Sequence, residues 1–296
     1  MTIQKISPSQ ISISKMRKSI KGDTQSFDDN WRSRPETSYN HWTCSRPVNQ
    51  VQLAFRHHWL TFSRLLLERG ISHGKCLEVG CGRGSLGAYF SQYGWNTTLL
   101  DISEPVIVSA KKAFARNGLK ANFVLGDCLN MPFDSNSFDT IYSIGLFEHF
   151  EDVVPIVQEQ YRLLRPEGIC FAYVVPHKQI LVQDGFNWFN SILFNEVESS
   201  DTKLSKAPVF RSSYNSDYYK TIFEDVGFVN IQSSGIYSMP MISSSPEFPF
   251  TLLRPESELI LVDYLNSHLN IRRAQTKDPW LCPENYGHAF LVWASK

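Results

Sequence analysis

Short apolar runs alternate with helical apolar periods through the middle of this 296-residue chain. The runs that we interpret as strands lie at 75–80, 96–101, 121–126, 138–145 and 168–175. Most of the stretches between them carry apolar residues at every third or fourth position, the spacing of one helix face. Strands that alternate with helices in this way form a parallel sheet that has helices on both faces. The sequence therefore predicts a doubly wound α/β fold.

Two longer stretches interrupt the alternation after the fifth strand. We predict inserts at 177–215 and 238–285, the second with a helix near 256–268. Between them lie a helix near 216–226 and a strand near 228–237, and the last strand falls at 287–294. The predicted sheet has seven mostly parallel strands. Because loops after strand carboxyl ends line the ligand crevice of such sheets, the inserts are predicted to determine specificity.

The N-terminal part of the chain divides into a tail and a helical region. Residues 1–30 are polar and predicted to be poorly ordered, with a targeting segment as the alternative because five basic residues precede Asp23. Residues 31–70 are predicted to form a lid and a helix from Asn49 to Glu68, ahead of the main domain at 71–296. Adjacent His57 and His58 point to different faces of that helix, which favours a helix-surface or lid role over metal ligation.

The charge balance and the cysteine pattern limit the partners and the compartment. Lysine plus arginine (29) equals aspartate plus glutamate (29), so we expect no nucleic-acid or anionic-membrane partner. Six cysteines without a C-x-x-C pair fit a reducing compartment, and we expect the cytoplasm. The longest apolar runs fall short of the ~20 residues that a membrane span needs. A small-molecule partner is the expectation that remains.

A glycine-rich segment connects the first strand to the first helix. It runs Leu77-Glu78-Val79-Gly80-Cys81-Gly82-Arg83-Gly84-Ser85. Glycines at alternate positions let the backbone approach a ligand, and the helix that follows offers free N–H groups. Asp101 ends the second strand, where a carboxylate can accept hydrogen bonds from both ribose hydroxyls of a nucleoside. Together these features predict a nucleoside cofactor, whereas a plain strand-to-helix turn would explain the glycines alone.

Two acidic residues indicate which nucleoside is bound. Glu78 precedes the first glycine by two positions, and the glycine spacing is G-x-G-x-G rather than the dinucleotide pattern G-x-G-x-x-G. A carboxylate at that position would repel a pyrophosphate but suits a cationic ammonium or an ordered water. Asp127 ends the third strand, where it can accept a hydrogen bond from an adenine amino group.

These motifs resemble those of the class I S-adenosylmethionine-dependent methyltransferases. The similarity is strongest to the small-molecule branch that includes the ubiquinone/menaquinone and sterol C-methyltransferases, and it covers about residues 70–176. The motifs that carry it are Glu78 to Gly84, Asp101, Gly126-Asp127, 131–139, 147–150 and 163–168. The resemblance implies a Rossmann-like fold, S-adenosyl-L-methionine as the cofactor, and methyl transfer. The neutral charge and the aromatic residues of the two inserts suggest a small, partly apolar metabolite as the acceptor.

The resemblance also implies cofactor contacts at the carboxyl ends of the first four strands. The residues implied to hold the methionine part are Gly80, Cys81, Gly82, Ile144 and Gly145. The residues implied at the nucleoside are Asp101 for the ribose, Ile102 against the adenine, and Asp127 and Cys128 at the adenine edge. The base-methylating signature after the fourth strand is missing, and acidic ligands do not cluster there, so neither nucleic-acid methylation nor a metal is expected.

His149 is the candidate catalytic residue, because it follows the fourth strand and an imidazole can accept a proton near neutral pH. Its competing role, shared with Glu148, is to brace the helix that follows. Two other functions stay open at this point: a catalytically silent methyltransferase-like module that only binds the cofactor, and a nicotinamide-dependent reductase, against which the glycine spacing and Glu78 both argue.

Overall fold

The structure is a computed structural model that describes residues 42–177, 211–237 and 253–296. The predictions for the tail, for residues 31–41, for most of the first insert and for residues 238–252 of the second insert lie outside these residues. Six helices are described: α1 Gln50–Leu67, α2 Ser85–Gln92, α3 Glu104–Arg116, α4 Val154–Leu163, α5 Ser216–Val226 and α6 Pro255–Arg273. Eight strands are described: β1 Lys75–Val79, β2 Asn96–Asp101, β3 Asn122–Leu125, β4 Phe138–Ile144, β5 Leu164–Val174, β6 Val229–Ile236, β7 Leu281–Cys282 and β8 Ala289–Ser295.

The strands form one sheet in the order β3-β2-β1-β4-β5-β8-β6-β7. The first five strands pair in parallel, and β8 lies antiparallel between β5 and β6. The strand order reverses between β1 and β4, which is where open α/β sheets bind their ligands. This topology confirms the doubly wound, mostly parallel sheet that the sequence predicts.

The predicted number of strands was wrong. Within the described residues the sheet has eight strands rather than seven, because β7 adds an antiparallel pair to the edge of β6. Only two residue pairs form this ladder, Gly235 with Cys282 and Ile236 with Leu281. Two residues are too few to produce a detectable apolar alternation, so β7 depends on tertiary pairing and not on a local pattern.

Local signals explain why the helix boundaries agree closely with the prediction. Asn49 takes an extended conformation before α1, and its side chain accepts a hydrogen bond from the Gln52 backbone N–H at 2.9 Å. Asn215 caps α5 in the same way, and Gly227 ends that helix in the left-handed conformation. These are standard start and stop residues for helices. Helix α6 is longer than the predicted helix at 256–268, beginning at Pro255 and ending at Arg273.

Helix α1 packs on one face of the sheet. Phe62 is fully buried, and its ring stacks on Phe171 of β5 at a centroid distance of 4.5 Å. Trp42, just before the helix, donates a hydrogen bond from Nε1 to the Gln92 side chain of α2 at 2.9 Å. Helix α1 is thus part of the main hydrophobic core.

The helix-surface placement of His57 and His58 was wrong. Both side chains are buried, and His58 Nδ1 accepts a hydrogen bond from Trp280 Nε1 at 2.9 Å. The His57 ring stacks on the same indole at 5.1 Å. Trp280 belongs to the second insert and covers a helix face that looks polar when the sequence is considered alone. Among the described residues, no group of three or more His, Cys, Asp or Glu side chains could hold a metal ion.

Candidate cofactor and acceptor site

Three acidic residues follow neighbouring parallel strands at one rim of the sheet. Glu78, Asp101 and Asp127 lie at or just beyond the carboxyl ends of β1, β2 and β3, which are adjacent in the sheet. A backbone hydrogen bond joins two of these strand ends, since the Gly126 N–H donates to the Asp101 carbonyl at 2.9 Å. The three carboxyl groups that the sequence analysis selected are therefore brought to the same edge.

The glycine loop takes the conformation that its sequence predicts. Gly80, Gly82 and Gly84 have φ values of +67°, +52° and +68°, in the left-handed region that favours glycine. A Cβ on Gly80 would lie 2.9 Å from a methyl carbon of Leu146, so a side chain there would also crowd the loop after β4. The turn at these glycines therefore has little side-chain cover, and its backbone lies close to the loop after β4.

Asp101 connects the glycine loop to the loop after β2. Its Oδ2 accepts a hydrogen bond from the Gly82 N–H at 3.0 Å, and its Oδ1 accepts one from the Ser103 N–H at 3.0 Å. The side chain is half-buried, as are Ile102, Gly80 and Gly82. Asp101 therefore orders the rim and at the same time leaves part of its surface accessible to a ligand.

Glu78 lies beneath the loop, with an exposed fraction of 2 %. Its Oε2 accepts hydrogen bonds from the Gly87 backbone N–H at 2.9 Å and from the Tyr142 hydroxyl at 3.5 Å. Gly87 lies in the first turn of α2, where backbone N–H groups lack helical partners. Burial raises the pKa of Glu78 to about 8, and these hydrogen bonds partly oppose the increase. Part of the carboxyl thus braces the junction between β1 and α2.

The third strand ends in a buried turn. The Asp127 side chain accepts a hydrogen bond from the Leu129 N–H at 2.9 Å, and both Asp127 and Cys128 are buried. Burial raises the pKa of the Cys128 thiol, and likewise that of the Cys81 thiol, well above the usual value. Neither thiol is therefore suited to act as a nucleophile at neutral pH.

The loop after β4 completes the rim. Ile144 and Gly145 are half-buried, and the Gly145 N–H donates to the Tyr173 carbonyl of β5 at 2.9 Å. His149 ends a single 3₁₀ turn at 147–149, and its side chain is also half-buried. The predicted catalytic residue thus lies beyond the carboxyl ends of the strands, at the same rim of the sheet as the acidic residues.

Glu148, predicted from the sequence only to brace the following helix, also contacts the segment after β5 and Ser212. Its side chain is 1 % exposed, and its Oε1 accepts a hydrogen bond from the Val175 N–H just beyond β5 at 3.3 Å. The Glu148 carbonyl accepts a second one from the Ser212 N–H at 2.7 Å. The available signal was an acidic residue inside an otherwise apolar turn at the end of a central strand.

Comparison with known proteins identifies the central part of the chain. A protein family described as "Methyltransferase domain" matches residues 77–172, which include the glycine loop and the first five strands. The chain is therefore similar to methyltransferase domains over this segment. The segment contains all of the predicted site residues, from Glu78 to His149.

Curated proteins that are similar to part of this chain include sterol methyltransferases. A sterol 24-C-methyltransferase from Pneumocystis carinii is 37% identical over 113 residues, covering 37% of this chain and 30% of the relative. A cycloartenol-C-24-methyltransferase from Arabidopsis thaliana is 38% identical over 112 residues, covering 36% and 33%. A demethylmenaquinone methyltransferase from Staphylococcus aureus is 26% identical over 193 residues, covering 61% and 78%. The match thus spans about a third of the sterol enzymes.

Solved structures resemble the whole fold at low sequence identity. A protein from Galdieria sulphuraria, provisionally named a sarcosine dimethylglycine methyltransferase, has a TM-score of 0.51 and 17% identity, covering 92% of this chain and 97% of the other. A structure solved in work on the conversion of a disulfide bond into a thioacetal group during echinomycin biosynthesis has a TM-score of 0.52 and 18% identity, covering 92% of each chain. These similarities support the Rossmann-like fold.

No helix of the described residues has the length and apolarity that crossing a membrane would require.

Proposed function

We propose that this protein is an S-adenosyl-L-methionine-dependent methyltransferase that acts on a small, partly apolar metabolite. The observation that carries the proposal is the half-buried Asp101 carboxylate at the rim, hydrogen-bonded to the glycine loop. A glycine bend beside an accessible carboxylate fits a nucleoside whose ribose hydroxyls donate to that carboxylate. The match of residues 77–172 to a methyltransferase family supports the same activity.

The proposed cofactor residues surround the rim. Asp101 accepts hydrogen bonds from the ribose hydroxyls, and Ile102 packs against the adenine, whose edge meets Asp127 and Cys128. The residues that enclose the methionine part are Gly80, Cys81, Gly82, Ile144 and Gly145. Glu78 supports this end of the site from below, through the N–H of Gly87.

S-adenosylmethionine would supply an electrophilic methyl group on its sulfonium, with the neutral thioether as the leaving group. The chain has to align the acceptor and exclude water. His149 ends the 3₁₀ turn that follows β4. Its half-buried imidazole can accept a proton from an acceptor oxygen or nitrogen. The lid function proposed for the N-terminal region would add to the exclusion of water.

The acceptor class follows from charge and from the relatives. The chain has no net charge to attract a polyanion, which argues against a nucleic-acid substrate, and the balance suits a neutral metabolite. The named relatives act on sterols and on demethylmenaquinone, which are largely apolar molecules. A cytoplasmic location is part of this proposal, because the six cysteines, none in a C-x-x-C pair, suit a reducing compartment.

Replacement of Asp101 by asparagine tests the cofactor site. Asp101→Asn keeps one acceptor oxygen for the loop but removes the charge that faces the ribose. We expect S-adenosylmethionine affinity, measured by equilibrium dialysis with labelled cofactor, to fall about 10- to 100-fold. Asp225→Asn, a change in an exposed residue of α5, is the matched control and should bind like the wild type. Unchanged affinity in Asp101→Asn would contradict the proposed site.

A second measurement separates an enzyme from a silent binding module. Purified protein is incubated with methyl-labelled S-adenosylmethionine and a metabolite extract, and labelled products are identified by mass spectrometry. We expect a labelled small molecule. Cofactor binding without any labelled product across aqueous and lipid-soluble fractions would favour the silent module, and co-purification of a nicotinamide nucleotide would favour a reductase.

A further inference from the structure

Glu148 occupies an unusual position between the ends of two central strands. The residue lies in the 3₁₀ turn at 147–149 that follows β4, and its Oε1 accepts a hydrogen bond from the Val175 N–H just beyond β5. Gly145 lies against the same oxygen, since a Cβ built there would be 3.4 Å from Oε1. The carboxyl group is therefore fixed at the carboxyl ends of β4 and β5, on the side of the sheet that holds the methyltransferase site.

The second carboxyl oxygen of Glu148 is buried without a hydrogen bond. Among the described residues, Oε2 has no hydrogen-bond partner although it is out of contact with solvent. Leaving a buried acceptor unpaired is costly, and native proteins do so rarely and usually at functional positions. A fixed Oε1 and an unpaired Oε2 together make a preorganised acceptor for one hydrogen bond from a ligand.

The charges around Glu148 indicate which ligand group fits. Burial raises the pKa of its carboxyl group, while interactions with His149 and with the Arg211 guanidinium oppose this and favour the carboxylate. A cationic ligand group would be repelled by the positive charge of Arg211. A neutral hydrogen-bond donor would not. Tyr173 and Tyr219 lie within electrostatic range of Glu148 and are buried, so the surroundings of the carboxyl group are partly aromatic.

We propose that Glu148 selects the methyl acceptor by accepting a hydrogen bond at Oε2 from a hydroxyl group on an otherwise apolar molecule. This inference rests on the proposed methyltransferase function and adds a specificity-determining residue to it. A site built to pair with a substrate hydroxyl rejects analogues that lack it, because the buried oxygen is then left unpaired. Glu148 thus acts on recognition of the acceptor, while Asp101 acts on the cofactor.

Variants of Glu148 are tested on chemically treated extract, with methyl-labelled S-adenosylmethionine as the second substrate. Glu148→Gln replaces one oxygen by an NH₂ donor and keeps the shape of the side chain. Glu224→Gln, in an exposed residue of α5, is the matched control. The lipid-soluble extract is used untreated, after amine-selective acetylation with the succinimidyl ester of acetic acid, and after acetic anhydride, which also blocks hydroxyls.

We expect Glu148→Gln to reduce label transfer from the untreated extract about 10- to 100-fold. The reduction should come from a higher KM for the acceptor, while the affinity for the cofactor stays unchanged. The wild type should label the amine-blocked extract as well as the untreated one, and the hydroxyl-blocked extract poorly. Mass spectrometry of the main labelled product, after deuterium exchange, should trace it to an acceptor with a hydroxyl group.

Three results would overturn the inference while leaving the proposed function intact. They are wild-type label transfer by Glu148→Gln, loss of transfer after amine blocking alone, and full transfer to hydroxyl-blocked extract. A wild-type protein that fails to bind S-adenosylmethionine, or that binds it and labels nothing, removes the proposed function and this inference with it. Cofactor binding is therefore measured first on every variant.

Discussion

The buried pair His57 and His58 should make the stability of this protein depend on pH. Burial lowers the pKa of His58 to about 3, with the neighbouring His57 and His288 contributing. Burial also lowers the pKa of His57 to about 4, helped by the charge of Arg273. Each imidazole is thus neutral in the folded chain at a pH where it would be protonated in the unfolded chain, whose histidines titrate near 6.5.

The sign follows from counting protons. Between the folded and unfolded pKa values the unfolded chain binds more protons, so the free energy of unfolding rises with pH in that window. The contribution of the pair is fully present above about pH 6.5 and is lost as the pH falls towards 4. Integrated over pH, lowering it from about 7.5 to about 5 should cost about 2 kcal/mol for each histidine.

Glu78 acts in the opposite direction. Its pKa is raised to about 8, so the folded chain holds a proton that the unfolded chain releases above its ordinary glutamate value. Acidification through that range therefore stabilises the folded chain. For this reason the total slope of wild-type stability against pH is not diagnostic, and the difference between wild type and a histidine variant is the quantity to measure.

The assay is urea unfolding of wild type, His58→Asn and His268→Asn at several pH values from about 7.5 to about 5. Asparagine can still accept the hydrogen bond from Trp280 near the Nδ1 position. The stability advantage of wild type over His58→Asn should shrink by about 2 kcal/mol over this range. His268 is exposed and its variant should run parallel to wild type. If the difference in the free energy of unfolding between wild type and His58→Asn does not change with pH, the buried histidine is not the cause of the pH dependence.

Two further predictions concern stability. Gly84→Ala should unfold more easily than Gly94→Ala by about 1–3 kcal/mol in urea denaturation, because both glycines have positive φ but only at Gly84 would a Cβ meet Leu99 and Phe114, at 2.6 and 3.0 Å; equal losses would show that backbone strain alone matters. Asn49→Ala should lower the free energy of unfolding by about 0.5–2 kcal/mol through loss of the α1 cap, while Asn49→Ser should lose much less. A loss as large in the serine variant would rule out capping as the cause.

Much of the fold could be predicted because its signals are local. The predicted bounds of β2 and α5 agree with the structure, since caps, glycines and apolar periodicity act within a few residues. The glycine loop and the three acidic residues could also be placed at one rim, because parallel strands present their carboxyl ends on the same side. The cofactor contacts of those residues stay predictions.

Local sequence patterns are sufficient to predict the order of elements, the doubly wound topology and the rim at which the acidic residues meet. The burial of individual polar side chains depends instead on tertiary contacts. The hydrogen bond between Trp280 and His58 joins residues 222 positions apart, and β7 exists only because β6 offers an unpaired edge. Glu148 is likewise fixed by Val175 and Ser212, on other segments. Periodicity reports the face on which a residue lies, but burial and hydrogen bonding depend on which distant segment covers that face.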